Sequence, residues 1–383
     1  AIGGPGAVFW VGCSALLGMC TKFAEVTLAV HFRERSETGE WVGGPMYYIK
    51  NGLGKRWQFL AFLYSLFGVL TVFGTGNATQ VNTIVAAVDT ALLEYGVVGS
   101  GFLSTLNLIA GIIVAMLVAM VLLGGIKRIG SVSEKLVPFM ALFYIVLSVG
   151  VMVLNFERLP YVFESIIAGA FNPAAFTGGT IGSLFISMQK GVSRGIFSNE
   201  AGLGSAAIAS AAAQNRNPVR QALISSSGPF WDTVIICALT GIVLTTSIIA
   251  HPDISCTDGP RLTTLAFSKI PYIGSPLLTL SLVTFVVSTI LGWSYFGEKA
   301  LEYLGGIRLI MPYRVIWVAA VFIGCVSKIE LVWIFADCAN GLMSLPNLIS
   351  LLALSGVLVQ QTRYYLWQHR LDDYDESHIP EGK

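Results

Sequence analysis

Apolar runs of membrane length recur along the whole chain and constrain its fold more than any other feature. An α-helix needs about 20 apolar residues to cross the hydrocarbon core of a bilayer. The 383 residues are 54% hydrophobic and only 12% charged, about half the charged fraction of an ordinary soluble domain. We therefore predict an all-α polytopic membrane protein lying in a lipid bilayer. About nine crossings are expected, over residues 4–30, 57–92, 103–123, 135–154, 176–213, 219–250, 276–303, 313–327 and 330–360.

The distribution of Lys and Arg predicts how these crossings are oriented. Alternate loops and the tail carry most of the basic residues, among them Arg33, Arg35, Lys50, Lys127, Arg128, Arg216, Arg220, Arg308, Arg314 and Arg363, whereas the opposite loops carry only Arg158, Arg261, Lys269 and Lys328. The positive-inside rule then places the C-terminus in the cytoplasm of a multi-pass protein of the cell (inner or plasma) membrane. Residues 1–362 form one predicted transmembrane domain. Residues 363–383 form a polar cytoplasmic tail that we expect to fray.

One crossing, residues 176–213, is a poor apolar helix. It contains the glycines Gly178, Gly179, Gly182, Gly191, Gly195, Gly202 and Gly204, and it also contains Arg194, Asn199 and Glu200. In hydrocarbon every backbone amide needs a partner, and an ionised side chain at mid-depth costs at least about 2.5 kcal/mol. A broken, glycine-rich helix with small polar groups is typical of the midplane site of a secondary transporter. The alternative is a close helix–helix contact through small residues.

Polar residues also interrupt other crossings. Asn77 and Gln80 stand near mid-depth of the second one, because a helix rises about 1.5 Å per residue, and they either join helices or face a solute. Asp232 stands near the midplane after Pro229; it is a functional carboxylate or the cap of a proline-broken helix. Lys22 and Glu25 can pair, since they are three residues apart on one helix face.

Several function classes lack their sequence signals. The chain has no GxxxxGK[ST] loop, which argues against nucleotide-driven transport. Its four histidines all lie outside the predicted crossings, and no Ser/His/Asp set is available. The net charge of +1 implies no nucleic-acid partner. We therefore expect neither an enzyme nor a bound cofactor.

Several motifs point to one family. The segment GVSRGIFSNEAGLGSAAIA (191–209) resembles the signature of the alanine or glycine:cation symporters, also called the sodium:alanine symporters. GGPGAVFW (3–10), GMCTKFAE (18–25), GGPMYYI (43–49), GGIKRIGSVSEKLVPFMA (124–141) and ADCANGLMSLPN (336–347) are similar to further landmarks of this family, in the same order. The resemblance covers essentially the whole chain.

The resemblance implies a LeuT-type fold with two inverted five-helix repeats. Residues 4–30, 176–213, 276–303 and 330–360 would then be core helices two, six, eight and ten. Members of the family have an extra helix and a broken, glycine-rich helix before GGPG, and neither precedes it in this chain. We therefore expect an N-terminally truncated member without the first broken core helix, which would normally supply groups for the substrate carboxylate and a sodium site.

The implied function is coupling of Na⁺ entry to uptake of a small neutral amino acid, alanine or glycine, by alternating access. The candidate substrate-binding residues are Phe73, Asn77, Gln80, Phe185, Ser187, Gln189, Gly191 and Trp293. Trp293 would cap a methyl-sized side chain, or it is a packing residue. Ser288 and Thr289 match by position the hydroxyls that bind sodium in LeuT-type symporters; the alternative is hydrogen bonding back to their own helix.

Arg194, Asn199 and Glu200 would form a gate or a structural charge network. Asp232 and Asp337 are candidate coupling residues, and they leave open an H⁺-coupled symporter. Two rival interpretations are a channel-like protein or receptor on the same scaffold and a membrane-embedded enzyme.

Overall fold

A computed structural model of the chain describes residues 2–94, 96, 98–171, 184–251, 254, 259–268, 270, 274–326 and 329–373. The main elements are helices. They are α1 Gly6–His31, α2 Pro45–Tyr48, α3 Gln58–Phe73, α4 Thr79–Glu94, α5 Leu103–Leu122, α6 Gly125–Leu154, α7 Leu159–Phe171, α8 Leu184–Asn199, α9 Ser205–Ala211, α10 Pro218–Ser226, α11 Ala238–Ala250, α12 Gly259–Ser268, α13 Gly274–Gly305, α14 Ile310–Val326, α15 Ile329–Ala353 and α16 Ser355–Thr362.

Short irregular helical segments connect or interrupt these helices. Four are π-helical, Ile49–Leu53, Gly74–Ala78, Phe230–Cys237 and Arg363–Trp367, and four are 3₁₀ turns, Lys55–Trp57, Ser100–Phe102, Phe156–Arg158 and Ile307–Leu309. The two described strands, β1 Glu34–Arg35 and β2 Trp41–Val42, form an antiparallel hairpin with Glu34 opposite Val42.

The predicted all-α polytopic architecture is confirmed. Over the described residues, seven helical stretches are long and apolar enough to cross a membrane, and the bent pair Val332–Ala353 with Ser355–Trp367 makes up to eight. These match eight of the nine predicted crossings. The ninth, residues 176–213, is described only from residue 184 on, where it consists of two short helices. Its glycines Gly178, Gly179 and Gly182 lie outside the described residues. The LeuT-type arrangement stays a prediction.

A helix that the pattern of membrane-length apolar runs did not predict follows α6. Residues 155–175 lie between two predicted crossings, but α7 occupies Leu159–Phe171 and packs on the beginning of α1. Gly6 and Gly169 bring the two backbones together there, since a Cβ at Gly6 would come within 2.1 Å of the Gly169 carbonyl oxygen. A run of 13 residues is shorter than a crossing, so a search for membrane-length runs misses it.

The overlong second crossing is broken in its middle. The π-helical segment Gly74–Ala78 separates α3 from α4. Polar contacts join the break to α15: the Thr71 hydroxyl donates to the Ala339 carbonyl (2.9 Å), and the Thr75 hydroxyl donates to Asn340 Oδ1 (3.1 Å). The largest buried apolar cluster surrounds this region with side chains of α3, α4, α5, α13 and α14.

The loop after α1 is bonded to the end of α9 and to α13. Arg33 is fully buried, and its Nη1 donates to the carbonyls of Ala211 (3.1 Å) and Ala213 (2.8 Å) at the end of α9. Burial, with smaller effects of neighbouring arginines, lowers the pKa of Arg33 to about 10, so the side chain stays charged at neutral pH. On the other side, Lys299 of α13 pairs with Glu302 (2.8 Å) and with Glu40 of the loop (3.3 Å).

The tail is ordered as far as it is described. Asn217 caps α10 with its side-chain oxygen, and its Nδ2 donates to the carbonyls of Arg370, Leu371 and Asp373. The expectation of fraying is therefore wrong for residues 363–373. One side chain that satisfies both a helix N-terminus and three tail carbonyls gives no signal in the sequence pattern. Residues 374–383 lie outside the described part.

The contact between α13 and the broken second crossing yields a test of the packing. A Cβ at Gly76 would lie 2.2 Å from Cβ of Trp293, whereas a Cβ at Gly292 would have nothing within 4 Å. We expect Gly76→Ala to lower the stability of the purified protein by about 1–3 kcal/mol, because overpacking forces neighbouring side chains to shift. Gly292→Ala is the control and should be neutral or stabilising by up to about 1 kcal/mol. Thermal unfolding measures both; equal melting temperatures would contradict this packing.

Candidate functional site

The candidate site is built around the break between α8 and α9. Residues 200–204 join the two helices, and three of them have left-handed backbone conformations: Glu200 (φ 58°), Gly202 (φ 92°) and Gly204 (φ 75°). This region favours glycine, and a Cβ at Gly204 would also come within 2.3 Å of Pro45. The glycines of the NEAGLGS motif therefore permit a sharp break between the two helices.

Every backbone N–H of the break has a partner. Glu200 and Leu203 donate to the carbonyls of Ile196 (2.8 Å) and Glu200 (3.1 Å), and Ala201 donates to Asn199 Oδ1 (3.0 Å). The other two, Gly202 and Gly204, donate to a single carboxylate oxygen, Glu25 Oε1, at 2.9 and 3.0 Å. A buried N–H without a partner would be costly, so the carboxylate from α1 completes the hydrogen bonding of the break.

Side chains of two further helices donate hydrogen bonds to the carbonyl groups of the break. Asn347 of α15 donates to the Gly202 carbonyl (2.9 Å) and to Glu25 Oε1 (2.7 Å), and its Oδ1 accepts from the Tyr48 hydroxyl. The Tyr64 hydroxyl of α3 donates to the Leu203 carbonyl (3.0 Å). Motifs that are far apart in the sequence therefore meet at this one segment.

A groove of about 740 Å³ lies beside the break, between α1, α8 and α15. Its wall is mainly apolar, with a few polar groups. The lining residues are Trp10, Cys13, Ser14, Leu17, Gly18, Thr21, Met188, Val192, Ser193, Ile196, Phe197, Ala201, Gly202, Leu203, Asp337, Asn340, Gly341, Ser344 and Leu348. This volume is within the range of small-molecule sites.

An ion pair connects α8 and α15 at the groove. Arg194 Nη2 lies 2.8 Å from Asp337 Oδ2, and both side chains are partly exposed. The Arg194 guanidinium also lies over the rings of Trp333 (5.1 Å) and Phe197 (5.5 Å). The ion pair joins a predicted gate residue, Arg194, to a predicted coupling residue, Asp337.

The other predicted gate and coupling residues lie around the break. Asp232, in the π-helical segment after α10, accepts hydrogen bonds from Ser198 (2.5 Å) and Thr233 (3.0 Å). Lys22 is buried and interacts electrostatically with the carboxylates of Glu25, Glu200 and Asp232. The predicted pairing of Lys22 with Glu25 is thus electrostatic and not a hydrogen bond among the described residues, since Glu25 Oε1 accepts from other donors and Oε2 has no hydrogen-bond partner there.

The candidates predicted on core helix six all lie on α8, which also forms part of the groove wall. Their side chains point in different directions. Phe185 is 64% exposed and Gln189 is also exposed. Ser187 is buried, and its hydroxyl has no hydrogen-bond partner among the described residues. Gly191 packs on α1, where a Cβ would come within 2.6 Å of the Ala7 carbonyl oxygen. None of the four is among the described residues that line the groove.

The second-crossing candidates, Phe73, Asn77 and Gln80, are not among the described residues that line the groove. Phe73 packs against Trp317 (ring centroids 5.4 Å apart), and Asn77 Nδ2 donates to the Trp317 carbonyl (3.1 Å). Gln80 donates to the Thr75 carbonyl (3.1 Å). In the described structure the Asn77 amide joins its crossing to α14, whereas the Gln80 amide bonds within its own crossing, and neither residue lines the groove. Their contact with substrate stays a prediction.

The α13 candidates occupy two positions. Trp293 is only 3% exposed and packs between Gly76 of one broken crossing and the Glu200 carboxylate of the other. The hydroxyls of Ser288 (2.7 Å) and Thr289 (2.9 Å) both donate to the Phe285 carbonyl. This is the back-bonded arrangement, which leaves the hydroxyl lone pairs available to a cation.

The residues that organise the break were missed as site candidates in the sequence. They are Glu25, Tyr48, Tyr64 and Asn347. A usable signal existed for three of them, because Glu25, Tyr48 and Asn347 each lie in a family-like motif, and Glu25 is an ionisable residue in an apolar run. Tyr64 lies in an ordinary apolar run and carried no signal.

The amino-acid sequence is similar to those of known transporters. The model of the sodium:alanine symporter family matches residues 1–379. An uncharacterized transporter of Haemophilus influenzae is 45% identical over 98% of this chain and 80% of its own length. The sodium/alanine symporter AgcS of Methanococcus maripaludis is 42% identical over 95% of this chain and 78% of its own length. The probable sodium/glutamine symporter GlnT of Bacillus subtilis is 35% identical, with coverages of 97% and 74%.

The position of the groove predicts which face of α15 is accessible to water. Ser344 lines the groove, whereas its neighbour Leu345 is 58% exposed outside it. We expect a cysteine at Ser344 to react at least about tenfold faster than one at Leu345 with a membrane-impermeant thiol reagent, because only the thiolate reacts and it forms in water. The measurement uses nanodiscs and a chain whose six native cysteines are replaced by alanine. Equal rates would show that the groove is not an aqueous path.

Proposed function

The chain belongs to the sodium:alanine symporter family, and we propose that it couples Na⁺ entry to the uptake of alanine or glycine by alternating access. Family membership makes the protein a multi-pass membrane transporter rather than an enzyme and supports Na⁺-coupled amino-acid symport. The observation that carries the finer proposal is the broken backbone at residues 200–204 beside a groove of about 740 Å³. The relative named for alanine is 42% identical and the one named for glutamine is 35% identical, which favours a small side chain.

The groove offers groups for both charges of an amino-acid zwitterion. The C-terminal end of α8 carries the negative end of a helix dipole, which attracts an ammonium group or Na⁺. Asp337 and Arg194 stand together at the groove and present both signs of charge. We place the substrate against Ala201–Leu203, with Ser193 and Asn340 as further polar contacts. The ion pair between α8 and α15 would act as a gate, because the groove widens only if these helices separate.

The other predicted substrate-binding residues remain part of the proposal. Ser187 and Gly191 lie on the same helix as Ser193 of the groove wall, so a rotation of α8 during alternating access would change what they face. Trp293 touches both broken crossings, which suits a residue that limits the size of the substrate. The concentration of basic loops supports a cytoplasmic C-terminus.

Uptake of labelled alanine by proteoliposomes tests the proposal. Wild-type protein should accumulate alanine only with an inward Na⁺ gradient, uptake should saturate, and unlabelled glycine should compete. A K⁺ gradient of the same size is the control. Uptake without saturation would favour a channel-like protein. Competition by glutamine but not by glycine would contradict the proposed substrate class, and no uptake at all would contradict the proposal as a whole.

Sodium binding by Ser288 and Thr289 can be tested separately from substrate binding. Hydroxyl oxygens are hard ligands that suit an exchangeable Na⁺. We expect Ser288→Ala and Thr289→Ala each to raise the Na⁺ concentration for half-maximal uptake at least about fivefold, because each removes one ligand of a weakly held ion. Ser281→Ala is the control, since Ser281 also lies in α13 and its hydroxyl also donates to its own helix, to the Leu277 carbonyl. An equal effect of the control would remove the two residues from the sodium site.

H⁺ coupling is the second candidate, favoured by Asp232. This carboxylate lies within an apolar crossing with hydroxyl partners and near Lys22, an arrangement found in proton relays. Asp232→Asn separates the two mechanisms. Full Na⁺-driven uptake by this variant would contradict H⁺ coupling through Asp232, whereas loss of a pH-gradient-driven component would support it.

A further inference from the structure

The hydrogen bonds at the break assign a role to two residues that the proposed substrate would not touch. Glu25 is 0% exposed and Asn347 is fully buried, and neither lines the described groove. Their bonds end on Gly202 and Gly204, which flank Leu203, and both Gly202 and Leu203 line the groove. The two side chains therefore act on the groove wall from behind.

We propose that Glu25 and Asn347 are positioning residues for the amino-acid site. The Glu25 Oε1 atom fixes the N–H groups of Gly202 and Gly204, Asn347 fixes the Gly202 carbonyl, and together they hold the broken backbone in the shape that binds substrate. This inference rests on the proposed function, because it takes the groove beside the break as the substrate site.

The geometry distinguishes positioning from ordinary packing. Glu25 Oε1 is the shared acceptor of three donors, Gly202 N, Gly204 N and Asn347 Nδ2, at 2.7–3.0 Å. The donors come from the break and from α15, while the carboxylate comes from α1. One oxygen thus sets the position of the break relative to two of the helices that line the groove. Left-handed residues cannot hold such a position by helical hydrogen bonding of their own.

The same hydrogen bonds indicate which property of Glu25 is needed to position the break. Only Oε1 has hydrogen-bond donors, since Oε2 has no hydrogen-bond partner among the described residues. A glutamine retains an acceptor oxygen of the same reach and loses the charge, whereas a leucine retains the approximate volume and loses the acceptor. Positioning by Oε1 therefore requires that glutamine substitutes for Glu25 and that leucine does not. If Glu25 instead served to compensate the charge of Lys22, glutamine would not substitute for it.

Transport kinetics provide the first measurement. Glu25→Leu and Asn347→Leu should each raise the alanine KM of Na⁺-driven uptake at least about tenfold, because a misplaced wall weakens substrate binding, and Glu25→Gln should stay within about threefold of wild type. Thr27→Val is the matched control: Thr27 is buried in the same helix, but its hydroxyl donates only to the Phe23 carbonyl. An unchanged KM in Glu25→Leu, or an equal rise in Thr27→Val or Glu25→Gln, would overturn the proposal.

A second measurement does not depend on transport. Leu203 is 2% exposed in the held break, so a cysteine at this position should be labelled slowly. In nanodiscs, Glu25→Leu should speed labelling of that cysteine at least about tenfold, because a released break exposes it to water, while Glu25→Gln and Thr27→Val should leave the rate unchanged. Unchanged labelling in Glu25→Leu would overturn the positioning role even if wild-type uptake is normal. Absence of wild-type uptake with faster labelling would instead overturn the proposed function alone.

Discussion

A single buried carboxyl oxygen, Glu25 Oε1, stabilises the break on which the rest of the site depends. In hydrocarbon an interrupted helix leaves N–H and C=O groups unpaired, and each such group costs several kcal/mol. Here the interruption is stable because its five N–H groups are all bonded, two of them to Glu25 Oε1. Asn347 donates to the same oxygen, and Lys22 lies nearby.

The break has this form because distant parts of the chain converge on it. Pro45 packs against Gly204, and Tyr48 bonds to Asn347. The loop that follows α1 is in turn fixed to the end of α9 by Arg33. A movement of α8 and α9 relative to α13 and α15 would therefore disturb a few defined contacts, the Arg194–Asp337 pair and the contact of Trp293 with Glu200 among them. Alternating access needs such a small set of contacts that can form in one state and separate in another.

Much of the fold could be predicted from the sequence, because membrane-length apolar runs have a physical meaning on their own. They placed eight of the crossings that the structure describes. The helix α7 was missed because 13 residues are too few for a crossing, and the order of the tail was missed because it depends on Asn217. The glycines of the NEAGLGS motif indicated where a helix would break. Their φ angles bear this out at Gly202 and Gly204.

The site itself was less predictable. Sequence reasoning selects side chains that look exceptional, such as Trp293 and Asp232, but it does not show what they face. Trp293 packs between the Gly76 backbone and the Glu200 carboxylate, and Ser288 and Thr289 bond to their own helix. The partner of the break, Glu25, lies 177 residues from Gly202 in the chain, and no local spacing rule connects residues so far apart.

Hydrogen exchange at the break tests the central claim most directly. The amides of Gly202 and Gly204 should exchange as slowly in the wild-type protein as amides within α1, because a buried carboxylate holds both. Mass spectrometry of the peptide that spans residues 200–204, with residue-level fragmentation, measures this in nanodiscs. Exchange at the rate of a solvated loop would show that Glu25 does not hold the break, and the account of the site would then be wrong.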